Sequence, residues 1–134
     1  MYMEQHGELR QPQQSEKGLL IWSELVNPYN QVFMTVNGHY SGAVHHVRQN
    51  EHGGEVIQLL INYQDSYRGG NGWLRLAEFD EAAKVISFRT YSPWIEVLAD
   101  SEPLRYPDYR FLTGPYDEFN IRVDFAERFA FARG

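Results

Sequence analysis

The chain has 134 residues, 43% of them apolar, a net charge of −6 and no cysteine. Its apolar content is enough for one domain with its own core and excludes a disordered chain. The missing cysteine excludes a disulfide framework and thiolate zinc sites.

An acidic chain with no basic run is a poor match to nucleic acid, so no such partner is expected. Arginines are scattered, apart from a loose set at Arg105, Arg110, Arg122 and Arg128. The apolar runs are far shorter than the roughly 20 residues a membrane helix needs, so no membrane span is expected. The opening MYMEQHGELR has no basic segment leading into an apolar one, so no signal peptide is expected in this chain.

Residues 1–16 form a polar, Gln-rich lead-in, with Gly7 and Pro12 as breakers. Residues 17–134 read as a single β-rich domain. Ser15 can cap a helix in which Leu19, Leu20, Trp22, Leu25 and Val26 recur at helical spacing, and Asn27-Pro28 ends it. Gln31–Asn37 is predicted as a strand, followed by Ala43–Gln49 and a turn at Asn50–Gly54. Glu55–Tyr63 is apolar with little polar alternation, which predicts a strand buried on both faces.

Asp65–Gly72 is a glycine-rich loop. Trp73–Asp80 and Val85–Tyr91 form a predicted β-hairpin. In its first strand Trp73, Leu74, Leu76 and Phe79 are expected inward against Arg75 and Glu78. Ser92-Pro93 is expected to close the second strand. Trp94–Ala99 reads as a further strand, Asp100–Tyr116 as a long loop holding three prolines, and Phe119–Phe125 as a last alternating strand. The sum is an α+β fold: mostly antiparallel β-sheet, one N-terminal helix and six or seven strands.

Five histidines are the first candidates for chemistry: His6, His39, His45, His46 and His52. His39 follows a glycine at the end of an apolar strand. A strand tip fixes the ring and the loop beyond leaves room for an ion. A lone imidazole in such a place is more often structural. His45 and His46 are adjacent on a strand and must face opposite sides, so both cannot join His39 in one metal site. His52 lies in a polar turn. No Gly-x-Ser-x-Gly nucleophile elbow and no phosphate-binding glycine loop occurs. Aromatic residues make up 15% of the chain. They serve a β-rich core, or a contact face in which Tyr63, Tyr67, Trp73, Tyr91 and Trp94 are exposed.

The run IWSELVNPYNQVFMTVNGHYSGAVHHV resembles the last metal-binding segment of calcineurin-like metallophosphoesterases. There a helix precedes an apolar strand that ends in Gly-His-x-His. The stretches VIQLLINYQDSYRGGNGWLRLAEFD and VISFRTYSPW are similar to the region C-terminal to that segment in a bacterial branch of the family, and FNIRVDFAERF is compatible with it. The resemblance implies the C-terminal half of a two-sheet sandwich flanked by helices. It implies phosphate-ester hydrolysis by two divalent metals (Mn, Zn or Fe) in a full-length parent, with His39 as a metal ligand. Asn37, Tyr40, Ser41, Tyr63, Gln64 and Asn71 are the residues expected to contact a ligand.

Two departures bear on that reading. The second histidine of Gly-His-x-His falls on Ser41, and a hydroxyl is a weak ligand beside an imidazole. The family's earlier motifs, Asp-x-His, Gly-Asp and Gly-Asn-His, do not occur in this chain. The expectation is therefore a chain inactive alone that binds no metal tightly. Its expected partner is the N-terminal phosphoesterase half of the parent or a second copy of itself. The alternative is a non-catalytic β-domain that binds a ligand or a protein.

Overall fold

The computed structural model describes residues 16–101 and 110–133. The lead-in, the Ser15 cap, His6, Arg105 and the middle of the proline-rich loop lie outside the described residues. Among the described residues the fold is α+β, with seven strands in two mostly antiparallel sheets and a few short helices. None of the described helices is long and apolar enough to cross a membrane.

Helix α1, Glu16–Ile21, runs into a π-helical turn over Trp22–Val26. Only Trp22 and Val26 are buried from this segment, and they pack with Val56. Arg48 lies over the Trp22 ring at 4.0 Å, where a guanidinium gains from the ring face. Leu19, Leu20, Ile21 and Leu25 remain exposed.

The first sheet has the order β1-β3-β2, from β1 (Met34–Asn37), β2 (Gly42–Gln49) and β3 (Glu55–Asn62). β1 runs parallel to β3, and β2 runs antiparallel to it. The chain therefore leaves β1, crosses the end of β3 through residues 38–41, and returns along β2. This crossing brings the loop after β1 and the loop after β3 to the same end of the sheet. β3 is central and buried on both faces, as its composition predicts. Val56 meets the helix, while Ile57 and Leu59 meet the second sheet.

The second sheet is built on β5 (Val85–Tyr91). β4 (Leu74–Asp80) flanks it on one side, while β6 (Phe111–Leu112) and β7 (Phe119–Arg122) pair with its two halves on the other. Ile86 and Phe88 of this sheet pack on Ile57 and Leu59 of the first. The core is thus the seam between two sheets.

Three elements differ from expectation. Trp94–Ala99 is not a strand but part of helix α3, Pro93–Ser101. Ser92 closes the preceding strand, which ends at Tyr91 as expected. Its hydroxyl accepts the Ile95 N–H at 3.1 Å and caps the helix, with Pro93 in the first helical position. The last strand stops at Arg122, because the Asp124 carboxylate accepts the Glu127 N–H at 3.1 Å and starts helix α4, Phe125–Arg128. A short 3-10 turn, Ala130–Arg133, comes next. The glycine-rich loop contains a single turn, α2, over Tyr67–Gly70, with Arg68 and Gly69 in the left-handed region.

The facing of β4 also differs. Register pairs Arg75 with Thr90, Ala77 with Phe88 and Phe79 with Ile86, so these three residues point toward the core. Leu74 and Leu76 fall on the outer face and are exposed. The buried position goes to the arginine because the seam holds polar partners for it.

Candidate functional site

The end of the first sheet where β1 and β3 terminate gathers most of the expected residues. His39 is exposed and has φ 74°, in the left-handed region, directly after Gly38. A non-glycine residue held there is uncommon and turns the chain sharply off the strand. The His39 ring meets the Tyr40 ring edge-on at 5.3 Å. Two residues on, the Ser41 hydroxyl donates to a carboxylate oxygen of Asp65, from the loop after β3. That bond joins the two loops.

Asn37, at the end of β1, spends its amide nitrogen on the Leu59 carbonyl at 3.1 Å and the Thr35 hydroxyl at 3.3 Å, so it fastens β1 to β3. The Gln64 N–H donates to the Asn62 side chain at 3.0 Å. The other side-chain atom of that asparagine, Nδ2, is buried with no hydrogen-bond partner among the described residues. Asn71 also has a positive φ, and its carbonyl accepts the Ser92 hydroxyl at 2.5 Å.

Tyr63 is not on an exposed face. It is buried, and its hydroxyl belongs to a polar network that ties the sheets together. Arg75 donates from Nη2 to the Tyr63 hydroxyl and from Nε to the Thr90 hydroxyl, both at 2.8 Å, and to the Tyr116 carbonyl at 2.9 Å. The Tyr63 hydroxyl donates to the Asp117 carboxylate at 3.0 Å, and the Thr90 hydroxyl donates to the Asp117 carbonyl at 3.0 Å. Burial pushes the Tyr63 phenol above its ordinary range, against the opposing pull of Thr90 and Arg75, so it stays protonated. Of the other expected aromatic face, Trp94 is exposed while Trp73 and Tyr91 are half-buried. The Tyr67 side chain lies outside the described part.

The adjacent histidines face opposite sides, as strand geometry requires. His45 shares a face with Leu59 and stacks on Phe119 at 3.8 Å, while His46 pairs with Gln58 on the other face. Burial, then the Arg75 charge and then His46 hold the His45 imidazole below its ordinary pKa. Its Nδ1 is buried without a partner among the described residues. The folded chain resists the proton, so the unfolded chain takes it up first as pH falls. Stability is expected to decline from about pH 6.5 downward, until the folded ring itself protonates. His45→Phe is expected to flatten that decline and to leave the protein at least as stable at pH 8. Urea unfolding from pH 5 to pH 8 reads both; a wild-type profile flat across this window would contradict the assignment.

At the opposite end of the first sheet an open cleft of about 770 Å³ is lined by Phe33, Glu55, Arg122, Asp124 and Arg128, among others. Arg128 is already engaged there. It donates to the Glu55 and Val32 carbonyls and the Asn30 side chain at 3.0 to 3.1 Å, which ties α4 to the sheet. His52 approaches the Pro28 carbonyl at 3.0 Å, so it is held in its turn.

No group of three or more His, Cys, Asp or Glu side chains that could hold a metal ion occurs among the described residues. Sequence reasoning missed Arg75, Thr90 and Asp117 as a buried network, and Asp65 as the partner of Ser41. Arg75 had no local signal, because Leu74 and Leu76 outrank it for the inner face of β4 on hydropathy. Asp65 had no signal, because its pairing depends on two loops meeting.

No family model matches this chain, and no solved structure matches it. The uncharacterized protein YvnB of Bacillus subtilis (strain 168) is 32% identical over 117 residues, which is 83% of this chain and 8% of that protein. The chain therefore spans a small segment of a much longer relative.

Proposed function

We propose that this chain is the C-terminal portion of a metal-dependent phosphoesterase, and that hydrolysis of a phosphate ester requires the N-terminal half of a longer parent. The observation that carries the reading is the placement of His39. It is exposed at the tip of β1, held in the left-handed region after Gly38, where the two loops meet at the ends of parallel strands. A divalent ion bound there would polarise a phosphoryl oxygen and make a hydroxide available at neutral pH. His39 would donate one imidazole nitrogen toward it. The described residues supply one accessible imidazole to such a site and no group of three or more metal-binding side chains. A catalytic ion needs about three protein ligands, so the remaining donors come from the other half.

The surface supports the same reading. β1 is an edge strand among the described residues, with Val36 exposed. An edge strand offers unpaired backbone groups to a neighbouring strand. The exposed Leu19, Leu20, Ile21 and Leu25 of the N-terminal helical segment add an apolar face that a partner half would cover. The length of YvnB relative to the matched segment is consistent with a larger parent.

The test compares the full-length gene product with the 134-residue chain, using a chromogenic phosphodiester and Mn²⁺. The full-length protein is expected to turn over and the isolated chain to be inactive. His39→Ala in the full-length protein is expected to lower kcat by about 100-fold or more, since a ligand loss should exceed the 10–100-fold typical of outer-shell changes. The thermal midpoint of the metal-free protein should not move, because the ring is exposed. A full-length protein without hydrolysis, or a His39→Ala variant at full rate, sinks the proposal.

A further inference from the structure

We infer that a β-strand from outside these 134 residues, supplied by the longer parent chain, pairs with the free edge of β1 and closes one side of the seam between the two sheets. The seam needs such a strand whether or not the parent hydrolyses a phosphate ester.

The two sides of the seam differ. On one side β2 lies over β7, where the His45 ring stacks on Phe119 at 3.8 Å. In the middle β3 lies over β5, with Ile57 and Leu59 against Ile86 and Phe88. That order leaves β1 over β4 on the other side. Phe125 of α4 fills part of the gap there. Its ring meets Phe33, next to β1, at 5.4 Å and Phe79 of β4 at 6.1 Å.

Beyond that ring the gap is open among the described residues. Val36 is in register with Leu59 in a parallel pair, so both side chains leave the sheet on the same face. Leu59 is 2% exposed, whereas Val36 is 65% exposed. Ala77 and Phe79 are in register with Phe88 and Ile86 and face inward with them. Yet Ala77 is exposed, and Phe79 is 50% exposed. Apolar side chains on the inner faces of both sheets are therefore left to water at this side, where a sandwich normally buries them.

The shape of the gap selects its occupant. β1 is an edge strand among the described residues, and Met34–Asn37 carries no charged side chain, so no charge blunts its unpaired backbone groups. A strand laid along that edge satisfies those groups, and its alternate side chains point into the gap beside Val36 and over Phe79. A helix would cover the same apolar side chains and leave the edge unpaired. Most of YvnB lies outside the matched segment, which is 8% of that protein. The strand is accordingly assigned to additional chain of the parent rather than to a second copy.

The experiment uses the full-length gene product carrying single introduced cysteines, alkylated with N-ethylmaleimide and read by peptide mass spectrometry. Glu78→Cys is the reference, because the Glu78 side chain is 71% exposed and lies on the outer face of β4. Val36→Cys and Phe79→Cys are expected to react about tenfold or more slowly than the reference, since reaction at a covered site waits for local opening. Photo-crosslinking from a benzoylphenylalanine at position 79 then identifies what covers the seam. A crosslink to the same molecule outside these 134 residues supports the inference. A crosslink within the 134 residues overturns it, as does a crosslink to a second copy in a mixture of isotope-labelled and unlabelled protein. Equal reactivity of the three cysteine variants also overturns it, because the seam is then open in the parent. None of these readings depends on hydrolysis, so the phosphoesterase reading and this strand can fail separately.

Discussion

Replacing Arg75 with methionine is expected to lower the unfolding free energy of the chain by about 3 kcal/mol, the low end of the range for breaking a buried ion pair. The Arg75 side chain is 5% exposed and that of Asp117 is 17% exposed, with 3.5 Å between guanidinium and carboxylate. An exposed pair of the same geometry is worth about 1 kcal/mol or less. Position decides between these scales. Methionine fills the volume of the aliphatic stem but leaves the Asp117 carboxylate facing Tyr63 without a cation. It also leaves the Tyr116 carbonyl without its donor. Asp117→Asn alone should cost less, because an amide oxygen still accepts from the Tyr63 hydroxyl. The double variant should lose less than the sum of the two, since the orphaned carboxylate that dominates the first loss is then absent. Urea unfolding of the four proteins reads the coupling. A loss under about 1 kcal/mol in Arg75→Met would mean the network is solvated and behaves as a surface pair.

The same network shows where sequence pattern stops being informative. The hairpin was legible, because two strand-like runs, Trp73–Asp80 and Val85–Tyr91, flank a tight connection, in which the structure places Lys84 in the left-handed region. The central strand β3 was legible from its apolar composition. The facing of β4 was not. Leu74 and Leu76 compete with Arg75 for the core on hydropathy alone. What reverses the choice is Thr90, Tyr63 and Asp117 on three other segments. Similarly, Trp94–Ala99 reads as a strand but folds as part of a helix. Ser92 settles it by capping, with its hydroxyl also donating to Asn71 on a distant loop. FNIRVDF alternates to its end, yet Asp124 both caps α4 and meets Lys84 at 2.6 Å, so the strand ends two residues before the capping carboxylate.

At the candidate site, the tip histidine was legible from Gly38-His39, and the opposition of His45 and His46 from strand geometry alone. The meeting of Ser41 and Asp65 was not, because it depends on a crossover. β1 must pair parallel with β3, with the chain passing over the end of β3, before residues 41 and 65 become neighbours. Local pattern encodes which face a residue takes. It does not encode which loops share an end of a sheet.

Phe88→Ala is expected to cost about 3–5 kcal/mol, the range for removing a fully buried aromatic ring. Phe88 is 1% exposed and sits on β5, which pairs with every other strand of its sheet. Its ring stacks on Phe119 of the neighbouring β7 at 4.8 Å, and Phe119 in turn carries the His45 ring of the opposite sheet at 3.8 Å. The three rings therefore form a column running from one sheet to the other. Deleting Phe88 removes burial and leaves Phe119 unsupported on one side, so the cavity term adds to the transfer term. Phe88→Leu keeps most of the volume and should cost roughly 1–1.5 kcal/mol. Phe79→Ala is the internal comparison: Phe79 faces the same way on β4 but is half exposed, and its loss should stay near about 1 kcal/mol. If Phe88→Ala costs no more than Phe79→Ala, the sheets are not held together through this column. The fixed position of Tyr63 and of the turn that presents Asp65 would then rest on the Arg75 network alone. If the expected order holds, apolar column and polar network jointly fix the two sheets, and the loops at the end of β1 and β3 stand on a rigid base.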